Sequence, residues 1–267
     1  ASLVNNNELA VSNVVGSNIF NLMVVVGVCS ILTPILVQKE TIKRDIPFSM
    51  ICAFLLLGLG ILAVGDKSGM TLGHLDGMIL LGFFAGYIVA MIQSAMKARA
   101  AGKNVEIEGI EELEEEIGIL SWPKSILFIV GGALAIAFGG DLTVDAASRI
   151  AIDLGMSQTL VGLTIVSIGT SLPELVTSVV AARKNEVDMA VGNAVGSNIF
   201  NILMVLGIAS AINPVALIRE NIIDIVILIV FSLIVWIYAA TKRKISRKEG
   251  ISMVCLYLIY AGYIIWR

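Results

Sequence analysis

Two short stretches carry the residues able to do chemistry. The first is Ser167-Ile168-Gly169-Thr170-Ser171-Leu172-Pro173-Glu174, and the second is Gly192-Asn193-Ala194-Val195-Gly196-Ser197-Asn198-Ile199-Phe200-Asn201. On an uninterrupted helix Ser167, Thr170, Ser171 and Glu174 fall at i, i+3, i+4 and i+7 and share one face. Asn193, Ser197 and Asn201 do the same at i, i+4 and i+8. Pro173 has no N–H, so the spacing predicts that the carbonyl of Gly169, four residues back, loses its partner and becomes an oxygen ligand. Hydroxyls, amide oxygens, a released carbonyl and a carboxylate are the groups that replace water around a hard cation.

The elements that must position these groups are apolar. Of 267 residues 57% are hydrophobic and 15% are charged, where a soluble domain averages about a quarter charged. Eight runs are long enough to cross a bilayer: 9–37, 46–65, 75–96, 122–152, 156–182, 187–217, 221–240 and 250–266. The chain therefore reads as an all-α polytopic membrane protein, and the polar stretches lie inside its runs. Polar groups in hydrocarbon are costly unless they serve an ion or one another. The first, fourth, fifth and sixth runs carry Gly, Ser, Asn or Asp and are expected to be kinked or broken. The second and seventh read as plain packing or lipid-facing cylinders. Gly58-Leu59-Gly60 and the Gly82 to Gly86 segment offer small surfaces for close helix contact.

Fourteen of the 18 Lys and Arg residues lie in loops after odd-numbered runs. The positive-inside bias then predicts that the linker 101–121 and the loop 241–249 are cytoplasmic. The linker holds seven glutamates without the loop pattern of a calcium hand and reads as a solvated acidic segment. Cys29, Cys52 and Cys255 sit in apolar runs without metal spacing and read as small buried hydrophobes. The single histidine, His74, excludes a His-based metal centre or triad within this chain. No basic, aromatic-interleaved pattern points to nucleic acid, and no nucleophile has a base beside it except Ser171 with Glu174. A non-enzymatic membrane protein without a resident cofactor is expected.

A shift of 180 residues superposes Asn13 to Asn21 on Asn193 to Asn201, and the register continues through Gly27/Gly207, Ser30/Ser210, Pro34/Pro214 and Glu40/Glu220. Five runs separate the starts of the two copies, so they cross the membrane in opposite directions. Inverted repeats with interrupted polar helices are the pattern of secondary transporters. A cation channel is the weaker alternative, since neither a polar stripe through several helices nor a backbone filter is visible. The partner of Gly169 to Glu174 under this shift would precede Ala1, so two further spans and a second glutamate are expected there.

At these residues the chain resembles the cation/calcium exchanger superfamily, the sodium/calcium exchangers and their prokaryotic relatives. Gly169 to Glu174 followed by Gly192 to Asn198 is similar to that family's second alpha repeat, and residues 13–40 to the latter half of its first. The resemblance implies an inverted-repeat antiporter fold of ten helices, about eight of them in this chain. Residues 1–100 would be the remainder of the first repeat, 101–121 the linker and 122–267 the second repeat. It implies exchange of Ca2+ for Na+, or alternatively for H+, by alternating access in a prokaryotic plasma membrane, with membrane lipids as the surrounding partner. The ligands it implies are Glu174, Thr170, Ser171 and the backbone near Ser167, with Ser197 and Asn201, and Ser17 and Asn21, from the facing helices. Some family members have Asp where both copies here have Asn. The run 122–152 would be a helix that slides against the core along Gly131-Gly132 and Gly139-Gly140. Asp141 and Asp145 read as the polar outer end of that helix, and Asn18 and Asn198 as contacts between helices.

Overall fold

A computed structural model describes residues 8–64, 71–100, 121–155, 165, 167–184 and 187–266. The acidic cluster of the linker lies outside the described residues. Eleven α-helices are described: α1 (Glu8–Phe20), α2 (Val26–Leu32), α3 (Ile46–Val64), α4 (His74–Ala100), α5 (Trp122–Asp153), α6 (Ser167–Thr170), α7 (Leu172–Arg183), α8 (Val187–Phe200), α9 (Leu206–Ile212), α10 (Arg219–Lys242) and α11 (Arg247–Trp266). Seven continuous helical stretches among the described residues are long and apolar enough to cross a membrane. Seven of the eight expected runs correspond to them. The run 156–182 is described only from its middle onward, as α6 and α7.

The two copies of the repeat share the same interruption. Residues Asn21–Val25 join α1 to α2, and Asn201–Val205 join α8 to α9, each as one wide π-helical turn. The amide of Val26 reaches back five residues to Asn21, and that of Leu206 to Asn201. A third π turn, Thr41–Asp45, leads into α3 just before Pro47. There the Ile46 amide bonds Thr41, and the carbonyl of Ile42 accepts the indole N–H of Trp236 at 2.9 Å. The second repeat has Ile227 at the place of Pro47, and α10 is regular through the same positions.

The halves are woven together rather than set side by side. Two short antiparallel ribbons each join one half to the other. β1 (Ile35–Leu36) pairs with β4 (Lys244–Ile245), and β2 (Thr71–Leu72) pairs with β3 (Val215–Ala216). Helices follow the same exchange: α2 packs on α11, α9 on α4, and α3 on α10. Glycine allows the two exchanged contacts. A Cβ on Gly250 would lie 2.7 Å from the carbonyl oxygen of Gly27, and one on Gly77 would lie 2.7 Å from that of Gly207 and collide with the Ala211 amide. Edge-on aromatic pairs repeat the pattern, Phe20 with Tyr257 at 5.5 Å and Phe84 with Phe200 at 5.9 Å. Close backbone approach of this kind is how helices associate where lipid removes most of the hydrophobic drive.

Burial is graded across the fold. The stretch Ala10–Leu32 is the most buried of the candidate spans, whereas Ala151 is the only buried residue described on α5. Cys29 and Cys52 are buried as expected, but Cys255 is exposed, because α11 turns that face away from α2. The expected close packing at small residues also divides. Gly60 meets Ile222 of α10, whereas a Cβ on Gly58, Gly82 or Gly86 would touch nothing within 4 Å.

The glycine contacts make a stability prediction. Gly77→Ala and Gly250→Ala should each destabilise by about 1–3 kcal/mol, since backbone cannot move aside as a flexible side chain does. Gly58→Ala should be neutral or slightly stabilising through helix propensity. Unfolding of the purified variants in mixed micelles reads both, and equal stability of all three would rule out the proposed contacts.

Candidate cation site

The helix expected to run through Glu174 is interrupted. Ser171, at φ −102° and ψ 2°, separates α6 from α7, and its amide bonds the carbonyl of Ile168 at 3.0 Å. Pro173 therefore occupies the first turn of a new helix rather than the interior of one, where its missing N–H costs least. The break is the interruption expected in the run 156–182, and it corrects the single helical face expected for Ser167, Thr170, Ser171 and Glu174. It sends the four side chains to two different helices, and it places Glu174 in the first turn of α7, where the helix dipole favours negative charge.

Each polar side chain then finds its place. Ser171 is fully buried, and instead of capping α7 its hydroxyl meets that of Ser17 on α1 at 2.5 Å. Thr170 is exposed and donates to Asn13 Oδ1 at 3.5 Å. Ser197 of α8 donates to Glu174 Oε1 at 3.4 Å. Glu174 Oε2 is buried without a hydrogen-bond partner. Ser167 begins α6, and its side chain lies outside the described residues. Gly169 is needed for α5 to approach, because a Cβ there would collide with the Val144 side chain.

Beside this cluster four asparagines lock the two repeats together. Asn18 Nδ2 donates to the carbonyl of Asn198 at 3.2 Å, and Asn198 Nδ2 donates to the carbonyl of Asn18 at 3.1 Å. Asn21 Nδ2 donates to Asn198 Oδ1 at 3.3 Å, and Asn201 Nδ2 to Asn18 Oδ1 at 3.1 Å. The chemistry fixes the amide orientations in sequence. A carbonyl only accepts, so Asn18 and Asn198 present nitrogen to it and oxygen to the next asparagine. Asn21 and Asn201 must then present nitrogen inward, and their oxygens are turned out of the network. Asn21 Oδ1 is buried and has no partner there.

Two of the three buried side-chain oxygens without a partner among the described residues, Glu174 Oε2 and Asn21 Oδ1, are the kind of oxygen a hard cation takes up. The donor set around them is all oxygen: one carboxylate, the hydroxyls of Ser17, Ser171, Ser197 and Thr170, and two amides. No group of three or more His, Cys, Asp or Glu placed to hold a metal ion occurs among the described residues. Among the described residues the one salt bridge is Arg44 with Asp45, so no basic side chain neutralises Glu174.

The spacing of residues did not reveal the support around Glu174. Asn193 Nδ2 donates to Thr177 Oγ1 at 3.3 Å and to Ser178 Oγ at 3.2 Å, tying α8 to the turn that carries the carboxylate. Asn193 was legible on the face of α8, but Thr177 and Ser178, three and four residues past Glu174, read only as a continuation of that helix. A cavity of about 320 Å³ adjoins Glu174, lined by Ala133, Ile136 and Ala137 of α5 with Pro173, Thr177 and Asn193. The glycines of α5 do not all face it. A Cβ on Gly140 would lie 4.0 Å from the Pro173 ring, whereas one on Gly131, Gly132 or Gly139 would meet nothing within 4 Å. Asp141 and Asp145 are both exposed.

Residues 1–93 and 124–266 match the family described as "Sodium/calcium exchanger protein". "Sodium/calcium exchanger MaX1" of Methanosarcina acetivorans is 30% identical over 284 residues, spanning 97% of this chain and 81% of that protein. "Inner membrane protein YrbG" of Escherichia coli is 30% identical over 272 residues, spanning all of this chain and 78% of that one. A solved structure of the sodium-calcium exchanger NCX_Mj, soaked with 10 mM Na+ and zero Ca2+, superposes with a TM-score of 0.76 at 30% identity. It matches 98% of this chain, which covers 79% of that one.

The asparagine lock predicts a coupled energy. Asn18→Ala or Asn198→Ala alone strands buried partners and should cost about 1–3 kcal/mol. The double variant should cost clearly less than the sum, because the two residues share one network. Additive losses in equilibrium unfolding would show that the reciprocal bonds do not form.

Proposed function

The chain belongs to the sodium/calcium exchanger family, and from that premise we propose a secondary antiporter that exchanges Ca2+ for Na+ by alternating access. It is an integral membrane protein of the inverted-repeat exchanger fold, and the family is one of transporters. The observation that carries the reading is Glu174: a half-buried carboxylate in the first turn of α7, one oxygen on Ser197 and the other without a partner. A carboxylate in an apolar run, with no basic partner among the described residues, is best explained by a cation that visits it.

In this reading Glu174 supplies charge, and Ser17, Ser171, Ser197, Thr170, Asn21 and Asn201 supply neutral oxygens, with the backbone near Ser167 as a further contributor. Ca2+ and Na+ compete for overlapping subsets of these. A bound cation offsets the charge of Glu174, so an occupied site passes between the two sides more easily than an empty one, which is held back by the cost of desolvating the carboxylate. The thinly packed α5 is the element that moves, sliding over α7 past Pro173 to open the cavity beside Glu174 toward one side and then the other. We assign 1–100 and 122–267 to the two repeats, with 101–121 and 241–249 on the cytoplasmic side of a prokaryotic plasma membrane. Exchange for H+ is the second reading, favoured by the single carboxylate in the described donor set, which would then carry the proton.

Reconstitution in sealed liposomes separates the two. Ca2+ entry should follow an outward Na+ gradient and ignore an outward H+ gradient at balanced K+. The reverse dependence would make Glu174 the proton carrier. Entry that needs neither gradient and only follows the voltage would mean a channel. Glu174→Gln should insert normally yet lose transport by roughly ten- to a hundredfold, the loss of one charge-assisted contact of about 1.5–3 kcal/mol. Wild-type rates in that variant would remove Glu174 from the site.

A further inference from the structure

Away from the cation site, an open groove of about 620 Å³ runs between α3 and α4. Its walls include Phe48 of α3 and Gly82, Phe83, Gly86 and Tyr87 of α4, and Arg44 stands in it as the one charged residue. Phe48 and Tyr87 stack face to face with centroids 4.7 Å apart, closing the wall beneath Arg44. The α4 stripe extends from Ile79 to Met91, a rise of about 18 Å, close to the roughly 15 Å of one hydrocarbon leaflet. Gly82 and Gly86 keep the floor open, since a Cβ on either would touch nothing within 4 Å.

The repeat supplies an internal control. The exchanged packing equates Gly77 with Gly250 and β2 with β4, so Gly82 and Gly86 correspond to Cys255 and Ile259, while the 180-residue shift equates Arg44 with Asp224. The second half thus has side chains in place of the open floor and an acid in place of the base. A groove produced by the fold alone would recur in both halves.

Arg44 is 43% exposed and gives its Nε–H to Asp45 at 2.7 Å. A guanidinium has five N–H donors, so this contact leaves the terminal nitrogens able to grip a phosphate bidentately. Lys39 and Lys43, exposed on the same segment, outweigh Glu40 and leave that end net positive with Arg44 and Asp45 counted. We propose that the α3–α4 groove binds an anionic phospholipid, with an acyl chain along the Gly82–Gly86 stripe and the phosphate at Arg44. The positive end of an apolar, leaflet-deep groove matches a lipid that is negative at one end and apolar along its length.

The test measures binding by the purified protein in detergent, using native mass spectrometry and thermal unfolding with phosphatidylglycerol or phosphatidylcholine of the same acyl chains. Phosphatidylglycerol should be retained about fivefold better, the factor of one basic contact near a membrane surface. Arg44→Gln should bring it down to the phosphatidylcholine level, and Gly86→Leu should weaken both lipids by filling the floor. Glycerol 3-phosphate alone should give no protection. Equal retention of the two lipids would overturn the proposal, as would wild-type retention in the Arg44 variant. Protection by glycerol phosphate, or a dimer that Gly86→Leu dissolves, would reassign the groove to a free anion or to a second copy. Gly86→Leu counts only if it unfolds as the wild type does without lipid; Arg44→Gln, on the half-exposed rim, decides otherwise. Transport is not read, so failure of the exchange reading leaves this result standing.

Discussion

The structure depends on one constraint: polar groups placed in hydrocarbon must be answered by other polar groups or by an ion. Two π turns, one in each repeat, begin at Asn21 and Asn201 and face each other across the centre of the protein. The asparagines one turn earlier answer each other through backbone carbonyls, and this reciprocal pair orients everything next to it. Because Asn18 and Asn198 use their nitrogens on backbone, the amide oxygens of Asn21 and Asn201 are left for something else. A neutral, self-satisfying network thus sits against an unsatisfied one. The first holds the repeats together, and the second supplies the oxygens that the proposed function gives to a cation.

Glu174 reaches this centre from a different direction, and it can do so because its helix is broken. An unbroken helix would hold Ser171 and Glu174 on one line, so that both faced the same neighbour. The turn at Ser171 lets the serine hydroxyl meet Ser17 of the first repeat while the carboxylate meets Ser197 of the second. A single short element therefore touches both halves of the inverted pair. The same break leaves α7 short, and α5, which passes beside it, is the least buried of the candidate spans.

The weave of the two halves serves the opposite need. Ribbons β1–β4 and β2–β3 and the glycine contacts Gly27–Gly250 and Gly77–Gly207 each span the repeat boundary. Such crossed contacts tie the frame around the asparagine pair across the repeat boundary. The groove at Arg44 lies on the outer surface of that frame, where the π turn of Thr41–Asp45 and the open glycines Gly82 and Gly86 break the repeat symmetry.

The sequence by itself determined the membrane class, the spans and the inverted repeat, because hydropathy and a 180-residue register are written in residue types and need no partner to be read. It also marked the polar residues of the site, since a carboxylate, serines and asparagines stand out in apolar runs. Which of them meet was decided only by tertiary structure. The break at Ser171, the outward turn of the Asn21 amide oxygen and the support of Glu174 by Thr177 and Asn193 depend on contacts between segments up to about 180 positions apart. Small residues show the limit most clearly: Gly77 and Gly250 hold two helices in contact, while Gly82 and Gly86 leave a groove open. A glycine permits close approach without requiring it, and only the placement of the neighbouring helix says which has happened.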